Sequence, residues 1–124
     1  EDRIRMEAEA ILAILKRCLF DWTLIGSEAI DYEISKIPNV EDGEKQNENV
    51  YLKRKIIVDE AIAARASEIE KLGLTPTDAL HFSCAEKSAD IMLTTDDEII
   101  RTAQKNTCFN ITAMNPVRWL FDVL

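Results

Sequence analysis

Three acidic side chains carry the chemistry this sequence points to: Glu33, Asp78 and Asp96. Pro76 and Thr77 are helix-start signals, since proline fits a first helical turn and threonine can cap a free backbone N–H. Asp78 then falls in the first turn, where the helix dipole favours negative charge. Asp96 closes the run Ile91-Met92-Leu93-Thr94-Thr95, apolar and then β-branched as a buried parallel strand should be. Ligands of open α/β sheets collect outside the carboxyl ends of the strands, and Asp96 stands at such an end. Glu33 lies beside the apolar edge formed by Ile30 and Ile34, within reach of a rim. Converging carboxylates repel by about 4 kcal/mol per pair at 4 Å and an effective dielectric near 20, which a divalent cation relieves. Oxygen-only donors select Mg²⁺ or Mn²⁺ over zinc. Such a site suits phosphoryl transfer, where metal ions clamp the attacking and leaving oxygens. Each acid also has a structural reading: a solvated charge for Glu33, a dipole partner for Asp78, a helix cap for Asp96. His81, one turn after Asp78, reads as a packed, hydrogen-bonded histidine and is given no catalytic part.

The elements that must position these acids follow from periodicity. Asp2 to Leu19 is an amphipathic helix with its apolar stripe at Ile4, Ala8, Ile11, Leu12, Leu15 and Leu19; its charges Arg3, Arg5, Glu7, Glu9, Lys16 and Arg17 read as a solvated side. Trp22 to Ile25 is a short strand ending at Gly26-Ser27, and Ser27 caps a second helix that runs to about Lys36, ahead of Pro38. Val40 to Asn49 reads as a loop or the start of a helix. Val50 to Val58 is ambiguous, with Lys53, Arg54 and Lys55 either an exposed helix face or a patch holding a phosphate backbone. Asp59 to Leu72 is a helix ended by Gly73. After the Pro76 helix and the Ile91 strand come a helix from Asp97 to about Lys105, a strand from Phe109 to Met114 and a terminal helix from Val117 to Leu124. Strands separated by helices predict a parallel α/β sheet covered on both faces.

Bulk composition narrows the class further. The chain has 124 residues, 47% hydrophobic and 31% charged, which suits one globular domain without repeats or linkers. No apolar run approaches the roughly 20 residues needed to cross a membrane. A net charge of −8 gives no basic footprint for duplex binding, although bound cations would reverse the local field. Cys18, Cys84 and Cys108 lack metal-ligand spacing and read as three buried, reduced thiols of a cytoplasmic protein.

The segments D-A-L-H-F-S-C-A-E, I-M-L-T-T-D-D-E-I-I and I-T-A-M-N-P-V-R-W-L resemble the C-terminal half of a PIN domain. G-S-E-A-I-D-Y-E-I fits the same family as a strand end and acidic helix, so the resemblance covers nearly the whole chain. It implies a three-layer α/β/α fold around a parallel sheet, a single PIN-like domain over 1–124, and a metal-dependent endoribonuclease. It further implies a role as the toxin of a toxin–antitoxin pair, with RNA as substrate, an antitoxin protein as partner, and a homodimer. In that family four acids bind Mg²⁺ or Mn²⁺ and activate water against the RNA phosphodiester. Glu33 matches the second acid, Asp78 the third and Asp96 the fourth, with Thr94 and Thr95 preceding the last as in the family.

One departure matters. The family's first acid lies on an N-terminal strand of the form L-D-T, and this sequence begins instead with the helix that follows it. The resemblance predicts that the strand was cut off, is unresolved or is present as a separate peptide. Residues 1–124 alone would then be catalytically impaired and would associate or stay bound to that peptide. A second reading is a non-catalytic PIN-like module that binds RNA or a partner protein. A receiver-type signalling domain is set aside, because the last strand runs into Asn115-Pro116 where such a domain needs a lysine.

Overall fold

The computed structural model describes residues 1–27, 52–106 and 108–124. Glu33, the helix expected from Ser27 to Lys36 and the segment from Val40 to Asn49 lie outside the described residues. Element order is α1 (Asp2–Arg17), β1 (Leu24–Ser27), β2 (Leu52–Ile56), α2 (Glu60–Glu70), α3 (Pro76–Ser88), β3 (Ile91–Leu93), α4 (Asp97–Lys105), β4 (Thr112–Met114) and α5 (Pro116–Val123).

The strands pair in parallel, as alternation with helices requires. β1 pairs with β2 through Ile25↔Arg54, Gly26↔Lys55 and Ser27↔Ile56. β3 pairs with β4 through Ile91↔Thr112, Met92↔Ala113 and Leu93↔Met114. Among the described residues these are two separate two-stranded ladders rather than one continuous sheet. What joins them is α3, which packs against both β2 and β3. Its Phe82, fully buried, lies in a cluster with Ile69, Ala79, Leu74, Ile99, Ile111 and Ala113. Its Cys84 lies in a second cluster with Ile56 and Ile62, and Leu80 packs against both. This is a parallel α/β fold with its core under α2 and α3.

Local chemistry explains the boundaries. Asp59 caps α2 by accepting from the Ile62 N–H at 2.8 Å, and Ile62, Ala66 and Ile69 form the buried stripe expected of that helix. Gly73 takes φ +110°, a left-handed conformation that side chains resist, and turns the chain into α3. The threonine that caps α3 is Thr75 rather than Thr77, with Pro76 opening the helix. Within the ambiguous Val50–Val58 stretch, Leu52–Ile56 is the strand β2, so the basic run at 53–55 sits on a strand and not on a helix face; Arg54 and Lys55 are exposed and Ile56 is buried. Ser27 is the buried last residue of β1. Cys18 and Cys84 are buried and outside any disulfide as expected, but Cys108 is exposed.

α1 departs most from its sequence reading. Ile4, Ile11, Leu12 and Leu19 are exposed, between 41% and 64%. The buried positions are Glu7, Ala10, Ile14 and Cys18. At about 100° per residue the buried stripe is centred roughly 110° away from the expected one. α1 packs on α5, and its buried positions include the small residues Ala10 and Cys18 rather than the aliphatic stripe. Trp22 seals the same contact, with its ring 4.7 Å from that of Trp119 and the Arg17 guanidinium stacked over it at 4.3 Å.

Candidate metal and phosphate site

Two helices begin at one cleft. Gly73, Leu74 and Thr75 form one wall with Asp78, and Asp96 with Glu98, Arg101 and Lys105 of α4 forms the other; the space in this open cleft is about 290 Å³. The two acids predicted from their positions at a helix start and a strand end are therefore brought together. Glu33 lies outside the described residues, and among those residues no three ligating side chains gather around one point. His81 does not line the cleft.

The structural alternatives for the two acids resolve differently. At α3 the capping is done by Thr75 Oγ1, which accepts from the Asp78 N–H at 3.2 Å. The spacing Thr75-x-x-Asp78 is that of a capping box, yet no hydrogen bond to the Asp78 carboxylate is made within the described residues. Asp78 is therefore half-buried at the cleft wall with its carboxylate oxygens available. Asp96 does cap: its Oδ1 accepts from the Glu98 N–H at 2.9 Å and more weakly from the Ile99 N–H at 3.4 Å. Its Oδ2 takes no protein donor within the described residues, so one oxygen serves the helix and the other is left available on a residue that lines the cleft. Both carboxylates sit at helix N-termini, whose dipoles favour negative charge. Neither is paired with lysine or arginine among the described residues. This oxygen donor set fits a hard divalent cation.

The turn carrying Asp96 is held from several sides. Thr94 N donates to Met114 O at 3.0 Å, extending the β3–β4 ladder by one bond. Thr94 Oγ1 accepts from the Asp96 N–H at 3.1 Å. Asp97, the next residue, is gripped by both terminal nitrogens of Arg3 at 2.9 and 2.8 Å. The hydrogen bonds from Arg3 hold the Asp97 carboxyl below its ordinary value, outweighing the opposing desolvation, with lesser help from the charges of Arg3 and Arg101. Arg3 is raised in turn, mainly by its bond to Asp97 and then by that to Glu7. Arg3 also donates through Nη2 to Thr95 O at 3.4 Å and through Nε to Glu7 Oε2 at 3.2 Å. The same Glu7 oxygen accepts from Asn115 Nδ2 at 2.6 Å, and Asn115 caps α5 through the Val117 N–H.

Sequence reading had placed Arg3 and Glu7 on a solvated side. They are instead a bridge from α1 to the ends of β3 and β4, and Glu7 is buried. One signal was present: Glu7 falls three residues before Ala10 and seven before Ile14, on the face that α1 buries. Arg101 and Lys105 were also missed. They recur with Glu98 at three- and four-residue steps, giving α4 one face turned to the cleft.

The fold and site define a parallel α/β domain with carboxylates at a strand end and at helix starts over one cleft. The PIN domain family model matches residues 5–105, and the chain belongs to that family. PIN domains are generally nucleases, and divalent metal ions are their usual cofactors. No curated protein and no solved structure matched the chain.

Proposed function

We propose that this protein is a metal-dependent endoribonuclease that hydrolyses RNA phosphodiester bonds through Glu33, Asp78 and Asp96, with Mg²⁺ or Mn²⁺ as cofactor. The observation that carries the reading is the pairing of Asp78 and Asp96 across one cleft, with carboxylate oxygens not consumed by capping. A divalent ion held there would lower the pKa of an attacking water and neutralise charge developing on the phosphate. Asp96 would bind through Oδ2 while Oδ1 keeps the turn fixed. Arg101 and Lys105, along the same helix face, suit the non-bridging oxygens of neighbouring phosphates and offset the acidity of a chain with net charge −8. By the same reading the protein is a cytoplasmic, toxin-like homodimer controlled by an antitoxin.

The experiment is cleavage of a fluorescent single-stranded RNA with Mn²⁺ or Mg²⁺. Expected are loss of cleavage in EDTA and in Asp78→Asn, and a raised KM with little change in kcat for Arg101→Gln. Cleavage that survives EDTA, or is undiminished in Asp78→Asn, refutes the assignment. One observation favours a second reading, a non-catalytic module: the exposed aliphatic stripe of α1 is a surface a partner protein could cover. It predicts no cleavage by the wild type and partner binding that is indifferent to metal.

A further inference from the structure

Arg3 touches the residue before Asp96 and the residue after it. Its Nη2 donates to Thr95 O, and its two terminal nitrogens clasp the Asp97 carboxylate. Its third donor, Nε, is taken by Glu7, which is 91% buried and tied to Asn115 at the end of β4. Every branch of the guanidinium is thus used, and the group that orients it is itself anchored in the protein. A buried carboxylate is costly unless it is hydrogen-bonded; Glu7 takes its two bonds, from Arg3 and Asn115, on the single oxygen Oε2, so loss of either partner weakens the brace. None of the three lines the cleft.

We propose that Arg3, braced by Glu7 and Asn115, is a positioning residue that aims Asp96 by clamping both of its neighbours from outside the cleft. Asp96 has one oxygen committed to the α4 amides, so a small rotation of the turn would re-aim the other oxygen within the cleft that Asp96 shares with Asp78. The clamp removes that freedom. Arginine is required because a single planar fork must serve two carboxylates and a carbonyl, and lysine offers one point charge instead. α1, which contributes nothing to the cleft, thereby sets the geometry of an acid more than ninety positions further along the chain. The inference rests on the metal-site reading above, and its test separates the two.

The test compares wild type with Arg3→Lys and Glu7→Gln in the full chain, by Mn²⁺ titration calorimetry, RNA cleavage kinetics and amide NMR. The Glu98 and Ile99 amides report the Asp96 cap directly, with or without metal. Expected for Arg3→Lys are shifted Glu98 and Ile99 amide signals, unchanged Ala66 and Ile69 signals in α2, and a Mn²⁺ affinity about tenfold weaker, as partners of metal ligands typically produce. A fall in kcat with RNA KM unchanged should accompany these. Glu7→Gln should give the same pattern in weaker form. Unchanged Glu98 and Ile99 amides, or unchanged Mn²⁺ affinity, in a folded Arg3→Lys protein overturns the proposal. So does loss of signal dispersion throughout α2 in both variants, which would mark a general structural role. Should wild type bind no Mn²⁺, the metal-site reading falls, while the amide signals still decide whether Arg3 holds the turn.

Discussion

Asp96 performs two tasks with two oxygens, and substitution can separate them. Asparagine is as good an N-cap as aspartate, because its side-chain carbonyl accepts the same N–H groups. Asp96→Asn should therefore keep the bonds to Glu98 and Ile99, losing only the favourable charge at the α4 start, worth about 0.5 kcal/mol and opposed by relief from the neighbouring acids. Asp96→Ala loses the cap outright, at about 1 kcal/mol. For a domain of this size 1 kcal/mol moves Tm by about 4 °C, so metal-free Asn and Ala variants should differ by that much. Metal reverses the comparison. At a hundred times its Kd a ligand stabilises the native state by about 2.7 kcal/mol, or roughly 10 °C for wild type. Neither variant should show more than a small fraction of that rise. The assay is thermal unfolding by circular dichroism in EDTA and across a Mn²⁺ series. A full metal-induced rise in Asp96→Asn refutes the ligand assignment. Equal metal-free stability of the Asn and Ala variants refutes the capping assignment.

Further expectations follow from groups away from the cleft. Glu86, 6% exposed, accepts from Arg65 Nε at 2.8 Å, Arg65 Nη2 at 3.1 Å and the Asn110 N–H at 2.9 Å; Arg65→Met should cost about 2 kcal/mol by urea denaturation, since it leaves a buried carboxylate without its cation. Burial pushes Glu86 up, but Arg65 and the Asn110 N–H together hold it below its ordinary 4.5. The unfolded state therefore takes up its proton first, and this stabilisation is complete above 4.5 and lost as pH falls through the lower folded value. Glu86→Gln should flatten that acid decline, and an unaltered pH profile would contradict the pairing. Phe82→Ala, at a fully buried position in the larger core cluster, should cost about 3–4 kcal/mol, read as a fall in Tm; a change under 1 kcal/mol would show that this core does not hold the domain together.

What could be read from sequence were features settled by neighbouring residues. The helix that begins about Asp59, its apolar positions Ile62, Ala66 and Ile69, the Gly73 stop and the alternation of strands with helices depend on short-range patterns, and they stand. So do the positions of Asp78 and Asp96, because a helix start and a strand end each have local signatures. What escaped was decided by tertiary partners. Periodicity showed that α1 has an aliphatic stripe but not that α5 would accept its small-residue face instead. Glu7 and Arg3 belong to a network with Asp97 and Asn115 that no local spacing reveals. Lys53, Arg54 and Lys55 gave no period, and β1 as a pairing partner decided the strand. Thr77 reads as the cap of α3, and the cap is Thr75, whose hydroxyl is the one that reaches the Asp78 amide.

The bridge built by α1 also fixes an order of events during synthesis. Arg3 and Asp97 are separated by 94 residues, and Glu7 and Asn115 by 108. At about 5–20 residues per second, α1 leaves the ribosome roughly 5–20 s before the groups that complete it exist. Through that interval both of its apolar faces are bare, and the Glu7 carboxylate has no Asn115 to meet. The α2–α3 pair and the β3–α4–β4 unit close on near neighbours in sequence and can form earlier. The clasp on the acidic turn therefore awaits Asp97, and its Glu7 brace is complete only once Asn115 has been made.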